Sequence, residues 1–181
     1  NKIKEVQSLI KNQKLISLKD LNFNREIKET ENTIKKNAFL KADFIFNKYG
    51  INCFSDDSGL QVDALDNQPG VKSARYAGEN ASSNDNVDLL LENLKDIKNR
   101  RAKFITFICL IINSDVKFFE GMICGNITHN RRGYNGFGYD PIFVPDGYKK
   151  TFAEMSFDYK NSISHRAIAI KKLIKYLNNL N

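Results

Sequence analysis

Four stretches of the chain repeat apolar residues three and four positions apart, the spacing that places them on one face of a helix. In chain order they run over residues 2–12, 33–49, 83–94 and from about 160 to the C-terminal end. Gly50 directly follows the second stretch, and Ser82 or Ser83 begins the third, as expected of residues that cap helix ends. The pattern therefore predicts four amphipathic helices.

Shorter apolar runs rich in β-branched and aromatic residues predict strands between the helices. They cover residues 15–18, 51–57, 104–112, 116–128 and 142–144. The run over 104–112 is almost entirely apolar, which indicates a central strand covered on both faces. Residues 113–115 are expected to join it to the next strand as a hairpin. Gly121 and Gly125 interrupt that next strand, where we expect bulges or bends.

The order strand, helix, strand around residues 33–49 is typical of a parallel pair of strands. Combined with the antiparallel hairpin, it predicts an α/β fold with a mixed twisted β-sheet flanked by helices. The chain has 181 residues, of which 41% are hydrophobic. That is enough for one well-buried core, so a single domain is expected.

Net charge and cysteine content narrow the class of protein. The 28 Lys and Arg against 21 Asp and Glu give a net charge of +7 and a pI near 9.2, which suits nucleic acid or small phosphates as partners. Cys53, Cys109 and Cys124 lie in apolar surroundings, as reduced core cysteines of a cytoplasmic protein do. No signal peptide is visible, and no run approaches the roughly 18 consecutive apolar residues of a membrane span.

Two adjacent carboxylates, Asp56 and Asp57, follow a β-prone run and precede Ser58 and Gly59. They predict acid groups at the end of a buried strand, where α/β proteins commonly carry out their chemistry. Neighbouring side chains of a strand point to opposite faces, so only one of the two can easily reach a given metal ion or water. The same residue types are equally common in a polar turn without catalytic function.

A loop over residues 130–141 holds three glycines, three aromatic residues and two arginines. Glycines let backbone amides approach a ligand closely, and Phe137 or Tyr139 could stack on a base. The glycine pattern is neither a dinucleotide fingerprint nor a P-loop, because no Lys-Ser/Thr pair follows it.

Cationic residues are expected at the starts of two helices. Lys160, His165 and Arg166 begin the last helix, and Lys2 begins the first. A cation opposes the helix dipole at that end, but it can hold an anion or a base rich in carbonyl groups. Exposed lysines without a function are the alternative at either helix alone, and the recurrence at two helices favours binding.

These features together favour a nucleotide hydrolase. Mg²⁺ takes one or two carboxylates together with phosphate oxygens, so one of Asp56 and Asp57 with an acid from residues 26–29 would suffice. A nucleic-acid-binding module is the alternative from another class, because the positive charge and the arginines and aromatics of residues 130–141 are also typical of such proteins.

Seven groups of residues, spread over almost the whole chain, form a recognisable series. They are Lys2-Ile3-Lys4-Glu5-Val6; Asn37-Ala38 with Lys41-Ala42; Asp56-Asp57-Ser58-Gly59-Leu60 with Val62-Asp63-Ala64-Leu65; Pro69-Gly70 with Ser73-Ala74-Arg75-Tyr76; Arg132-Gly133 with Gly136-Phe137-Gly138-Tyr139-Asp140-Pro141-Ile142-Phe143; Thr151-Phe152-Ala153-Glu154-Met155; and Lys160-Asn161 with Ser164-His165-Arg166. In these motifs and in their order the chain resembles the inosine triphosphate pyrophosphatase family. Members of that family hydrolyse non-standard purine nucleoside triphosphates to the monophosphate and pyrophosphate.

The resemblance implies one pyrophosphatase domain over residues 1–181 with a central cleft, a homodimer, and ITP, dITP or XTP as substrates, without a stable nucleic-acid or membrane partner. It implies that Asp57 is the general base and a Mg²⁺ ligand, that Lys2 holds the triphosphate, and that Ser58 contacts the substrate. The implied base pocket consists of Phe137, Gly138, Tyr139, Asp140, Lys160, His165 and Arg166. A pyrophosphatase for other modified nucleotides is the alternative enzyme.

The chain departs from the family pattern at two places. The family begins with a strand and a Thr/Ser-x-Asn-x-x-Lys loop, whereas this sequence starts one residue before that Lys, so we expect the N-terminal strand to be missing. The Glu-Ile-x-Glu-Thr-Gly pattern of the family has no Gly here, where residues 26–31 read Glu-Ile-Lys-Glu-Thr-Glu. Glu26 is favoured as the second Mg²⁺ ligand, and Glu29 is the alternative.

Overall fold

A five-stranded sheet forms the centre of the computed structural model, which describes residues 15–180. In chain order the strands are β1 (Cys53–Val62), β2 (Gln68–Pro69), β3 (Arg101–Ile112), β4 (Asp115–Ile127) and β5 (Phe143–Pro145). They lie side by side in the order β2-β1-β3-β4-β5, and each of these pairings is antiparallel. The prediction of one domain built on a sheet with flanking helices is confirmed.

Four helices flank the sheet within the described residues. They are α1 (Ile34–Tyr49), α2 (Ser83–Asn93), α3 (Phe157–Ile163) and α4 (His165–Asn178). Of the helices that residues 15–180 form, none combines the length and apolar character needed to cross a membrane. The predicted helices over 33–49 and 83–94 are confirmed, and the predicted helix over 2–12 lies outside the described residues.

Strand β3 is covered on both faces, as its almost unbroken apolar sequence predicts. Cys109 and Ile111 pack against alanines 38 and 42 of α1. Ile108 and Leu110 pack against α4. Because side chains alternate between the two faces of a strand, the two helices lie on opposite sides of the sheet. Residues of neighbouring β1 therefore face one helix or the other according to their position along the strand.

Both ends of α1 are capped, at Gly50 as the sequence predicts and at Thr33 by a side chain for which no cap was predicted. The hydroxyl of Thr33 accepts a hydrogen bond from the backbone amide of Lys36 at 3.1 Å. Gly50 takes a left-handed φ of 64°, and its amide donates to the Phe46 carbonyl at 2.8 Å. Left-handed backbone favours glycine because it has no Cβ. The two caps define the ends of α1.

The predicted hairpin between β3 and β4 is confirmed. Asn113 and Ser114 form its turn with φ values of 50° and 69°, between the paired residues Ile112 and Asp115. Positive φ at both central positions gives a turn whose twist matches that of the flanking strands. This turn fixes the register of the two longest strands of the sheet.

The predicted strand over residues 15–18 is wrong, and with it the parallel pair that it would have formed with β1. The chain turns at residues 18–22 instead. The carboxylate of Asp20 accepts hydrogen bonds from the backbone amide and the hydroxyl of Ser17, both at 2.7 Å. Such local side-chain bonds compete with strand pairing, which the alternation of apolar residues does not reveal.

The predicted last helix is divided into α3 and α4 by Ser164. This residue has extended backbone angles, and its hydroxyl caps α4 by accepting from the amide of Ala167 at 3.2 Å. As a result, Lys160 lies in the short helix α3, whereas His165 and Arg166 are the first residues of α4. The three residues therefore meet at the corner between two helices and not at one helix start.

Gly121 and Gly125 do not interrupt β4, contrary to the expectation of bulges or bends. Their pairing with β3 continues without a break in register. A Cβ at Gly121 would collide with the carbonyl oxygen of His165, and one at Gly125 would collide with that of Val144. The glycines serve close backbone approach, and Gly121 lets the start of α4 lie directly on the sheet.

We expect Gly121→Ala to destabilise the fold by about 1–3 kcal/mol, the usual cost of overpacking. The added methyl group meets backbone atoms of α4, which cannot rotate away. Thermal unfolding followed by circular dichroism measures the effect. Met122→Ala is the matched control because Met122 is the next residue and is exposed; equal melting temperatures for the two variants would contradict the prediction.

Candidate active site

Asp56 and Asp57 lie within β1 and not at its end, because residues 57–62 continue to pair with β3. The prediction that the two side chains point to opposite faces is confirmed. Asp57 faces α1, where it contacts Lys41, and Asp56 faces α4, where it contacts Arg166. The candidate active site therefore has two parts, one on each side of β1.

Lys41 lies between two carboxylates in the first part. Its Nζ donates to Glu29 Oε1 at 2.8 Å and to Asp57 Oδ1 at 3.0 Å. Asp57 is buried, and the side chains of Lys41 and Glu29 are only 20% and 25% exposed. Lys41 thereby holds the carboxylates of Glu29 and Asp57 next to each other.

Burial and neighbouring charge shift the pKa values of this group. Desolvation raises the pKa of Asp57 to about 6, since repulsion from Glu29 adds to it and the attraction of Lys41 only partly opposes it. Burial also acts to raise the pKa of Glu29, but the hydrogen bond and charge of Lys41 outweigh it and lower that pKa. Asp57 is therefore the acid of the pair that takes up a proton more readily.

Arg75 is a second cation on Glu29. Its Nη2 donates to the backbone carbonyl oxygen of Glu29 at 3.3 Å, and its Nη1 lies 3.6 Å from Glu29 Oε2. Glu26, in contrast, is exposed. The structure thus brings Glu29 to Asp57, whereas the sequence favours Glu26 for that role.

Lys41 and Arg75 have no role in the sequence analysis, although both belong to its motifs. A signal for Lys41 was present, because it follows Ala38 by three positions and precedes Ala42 in the buried stripe of α1. A lysine at such a position is partly buried, and buried lysines are almost always paired with an acid. Arg75 lies in a loop, where no periodicity indicates which way its side chain points.

The second part of the site surrounds Arg166. Its Nε donates to Asp56 Oδ2 at 3.0 Å, and its Nη2 donates to the hydroxyl oxygen of Ser58 at 3.1 Å. The hydroxyls of Ser58 and Thr106 share a hydrogen bond of 2.7 Å across β1 and β3. These contacts hold the guanidinium of Arg166 in a fixed orientation against the sheet.

A cavity of about 490 Å³ opens beside Arg166, between α3, α4 and the loop over residues 130–141, called the glycine-rich loop below. Phe137, Lys160, His165 and Arg166, four of the predicted base-pocket residues, line it. The ring of Phe137 is 65% exposed, with the Nζ of Lys160 at 4.5 Å from its centroid. His165 is buried and stacks on Phe104, with ring centroids 4.7 Å apart and planes at 9°.

The other three predicted pocket residues, Gly138, Tyr139 and Asp140, lie in the glycine-rich loop and support the cavity lining from there. Asp140 is buried, forms an ion pair with Lys160 and accepts a hydrogen bond from the amide of Phe137 at 2.8 Å. Tyr139 is also buried, and its hydroxyl donates to the carbonyl oxygen of Ser73 at 3.0 Å. Gly138 joins them with a left-handed φ of 59°. Lys2 lies outside the described residues.

The acids of the first part could hold a divalent metal ion. Within residues 15–180 no cluster of three or more His, Cys, Asp or Glu side chains has the arrangement of a metal site. Mg²⁺ needs only one or two carboxylates when phosphate oxygens complete its shell. Glu29 and Asp57 both contact Lys41 Nζ, so the two carboxylates that such a shell would use lie next to each other.

Comparison with known proteins adds an independent finding. Residues 1–176 match the model of the Ham1 family. The chain is 51% identical to the dITP/XTP pyrophosphatase of Flavobacterium psychrophilum, over 99% of this chain and 95% of that protein. It is 45% identical to the dITP/XTP pyrophosphatase of Porphyromonas gingivalis, over 98% and 92% of the two chains.

The fold is also similar to that of solved structures. The Staphylococcus aureus Ham1 protein superimposes with a TM-score of 0.94 at 37% identity, over 99% of this chain and 94% of that one. A HAM1 protein from Coxiella burnetii gives a TM-score of 0.93 at 37% identity, over 98% and 93%.

We expect the carboxyl group of Asp57 to titrate near pH 6 in protein freed of metal with a chelator, because burial disfavours its ionised form. The ordinary value is 3.8, so the folded state binds this proton more tightly than the unfolded chain. The contribution of Asp57 to the free energy of unfolding therefore falls as the pH rises from about 4 to about 6. The carboxyl carbon chemical shift measures the midpoint; a midpoint at the ordinary value contradicts the prediction.

Lys160→Met is expected to destabilise the fold by about 3–5 kcal/mol, because it leaves the buried carboxylate of Asp140 without its cation. Adding Asp140→Asn removes that charge and should restore much of the loss. Urea unfolding measures both variants. The control is Arg101→Met, which breaks the exposed pair with Asp146 and should cost about 1 kcal/mol or less; a similar loss in the control and in Lys160→Met would refute the prediction.

Proposed function

Because the chain belongs to the Ham1 family, we propose that it hydrolyses non-standard purine nucleoside triphosphates, such as ITP, dITP and XTP, to the monophosphate and pyrophosphate. The observation that carries the proposal is identity of 43–51% over nearly the whole chain with relatives named dITP/XTP pyrophosphatases. The site agrees with it, since it offers a cation-lined cavity and a pair of neighbouring carboxylates. This identity favours the hydrolase over the nucleic-acid-binding module.

The cavity offers charged donors to a purine base. Lys160 and Arg166 donate hydrogen bonds and cannot accept them. Hypoxanthine and xanthine carry an oxygen acceptor at position 6, whereas adenine carries an amino donor there. A donor that faces another donor leaves both unpaired, and a site that binds by hydrogen bonds rejects such a base strongly, by about 10⁴ to 10⁵ in the best cases. This contrast supports an oxopurine as the substrate.

The reaction that we propose begins with the transfer of a proton from a water molecule to ionised Asp57. The water oxygen forms a bond to the α-phosphorus, the bond from that phosphorus to the bridging oxygen breaks, and pyrophosphate leaves. Glu29 and Asp57 would hold Mg²⁺, which neutralises phosphate charge when bound. Lys41 holds the two carboxylates in place and contributes positive charge beside them.

The remaining predictions belong to this proposal. That Lys2 holds the triphosphate stays a prediction, as does the homodimer, which comes from the family resemblance alone. A cytoplasmic location is supported by three free cysteines, Cys53, Cys109 and Cys124, because oxidising compartments favour disulfides. We propose neither a stable nucleic-acid partner nor a membrane partner.

The test is pyrophosphate release from ITP, XTP, GTP, ATP and UTP, with Mg²⁺ and with a chelator. We expect magnesium-dependent turnover of ITP and XTP far above that of GTP and ATP. The assay is repeated with a version that carries the family's strand and Asn loop ahead of Asn1. Lack of turnover of any triphosphate by both versions would overturn the proposal, and preference for UTP would replace it with a pyrimidine triphosphatase.

Two variants of the glutamate segment identify the second metal ligand. We expect Glu29→Gln to raise the Mg²⁺ concentration needed for half-maximal activity at least about tenfold, because loss of a residue that only supports a metal ligand already costs about 10- to 100-fold. Glu26→Gln is the matched control and should leave it unchanged. Asp57→Asn should lower kcat by about 10²- to 10⁴-fold, the usual contribution of a general base. A larger increase of this Mg²⁺ concentration in Glu26→Gln than in Glu29→Gln would assign the second metal ligand to Glu26 instead.

A further inference from the structure

Three phenylalanines line the cavity, and two of them are mostly exposed, whereas Phe152 is buried. Phe137 is 65% exposed and Phe157 is 64% exposed. Phe137 belongs to the predicted base pocket, and its ring lies close to Lys160 and Arg166. Phe157 has no role in the sequence analysis or in the proposed reaction, although it borders the same cavity.

The position of Phe157 follows from the geometry of α3. The hydroxyl of Ser156 caps this helix, and Phe157 is its first residue. Lys160 follows three positions later, and residues three apart lie on the same face of a helix. Tyr159 faces another direction, where it packs edge-on against Tyr148 with centroids 6.0 Å apart. The helix therefore presents Phe157 and Lys160 to the cavity and turns its other aromatic residue away.

We propose that Phe157 contacts the ring of the bound purine and is a further substrate-binding residue; this inference rests on the function proposed above. The cavity volume of about 490 Å³ lies within the range of about 300–1,000 Å³ that is usual for small-molecule sites. Lys160 and Arg166 supply donors for the edge of the base. Phe157 supplies an apolar aromatic surface for its face, which gains by leaving water on binding.

Contact of this kind acts on affinity and not on the choice of base. Every base has an aromatic face, so stacking tolerates changes in base identity. An interaction that is equal in the ground state and the transition state changes KM and leaves kcat unaltered. We therefore expect Phe157 to affect KM for all accepted substrates equally, while the ratio of ITP to GTP turnover stays constant.

The decisive experiment measures IMP binding by calorimetry, so that no chemical step is involved. Phe157→Ala should raise the Kd for IMP by about tenfold, within the range found when an aromatic residue under a base is removed. Tyr159→Ala, the matched control from the same helix, should change the Kd less than twofold. Phe157 is exposed, so both variants are expected to fold, and their melting temperatures verify this.

A second variant gives a readout that a loss of stability does not produce. The chain contains no tryptophan, so Phe157→Trp introduces a single indole at the cavity. Its fluorescence should change on addition of IMP, with Kd close to that of the unaltered protein. Tyr159→Trp should show no change. A Kd for Phe157→Ala within twofold of the unaltered protein, or an indole at 157 that does not respond, would overturn the inference.

The outcomes separate this inference from the proposed function. If the unaltered protein hydrolyses ITP and the Phe157 variants bind IMP as tightly as it does, only the inference fails. If neither version of the protein turns over a triphosphate and IMP does not bind, both fail. An increase of KM for ITP and GTP by the same factor in Phe157→Ala, with kcat unchanged, supports both.

Discussion

The alternation of side chains along β1 is the constraint on which the candidate site depends. It directs Asp57 to Lys41 on one side of the sheet and Asp56 to Arg166 on the other. Because the side-chain period of a strand is two, a slip of one residue against β3 would exchange the two acids. Pairing with β3 over the whole length of β1 prevents that slip.

Buried charge away from β1 is also paired, as the contact between the loop over residues 130–141 and α3 shows. The side chains of Asp140 and Lys160 are 4% and 11% exposed, and each is the other's ion-pair partner. Transfer of an unpaired charge from water into such surroundings costs several kcal/mol. The residues that would contact a nucleotide are thus held by contacts that the fold itself needs, and they are oriented before any ligand binds.

Sequence reasoning succeeded where a periodic pattern or a local cap determines the structure. The buried stripe of α1 and its Gly50 cap, the doubly covered strand β3 and its hairpin are of this kind, and so are the opposite directions of Asp56 and Asp57. It failed where a single side-chain hydrogen bond determines the backbone conformation. Such a bond to Asp20 turns the chain where the sequence predicts a strand. The division of the last helix at Ser164 has the same origin. The place of Glu29 beside Asp57 depends on a loop without periodicity, so the sequence could not distinguish it from Glu26.

One hydrogen bond described above connects the two parts of the site. The hydroxyl of Tyr139, behind the cavity, donates to the carbonyl of Ser73, and the same loop carries Arg75, which holds Glu29. The glycine-rich loop therefore cannot be replaced independently of the segment that contains Ser73 and Arg75. A loop transplanted from a relative would also have to fit the segment that holds Glu29 beside Asp57. Under the proposed function, base selectivity and catalytic geometry would therefore change together.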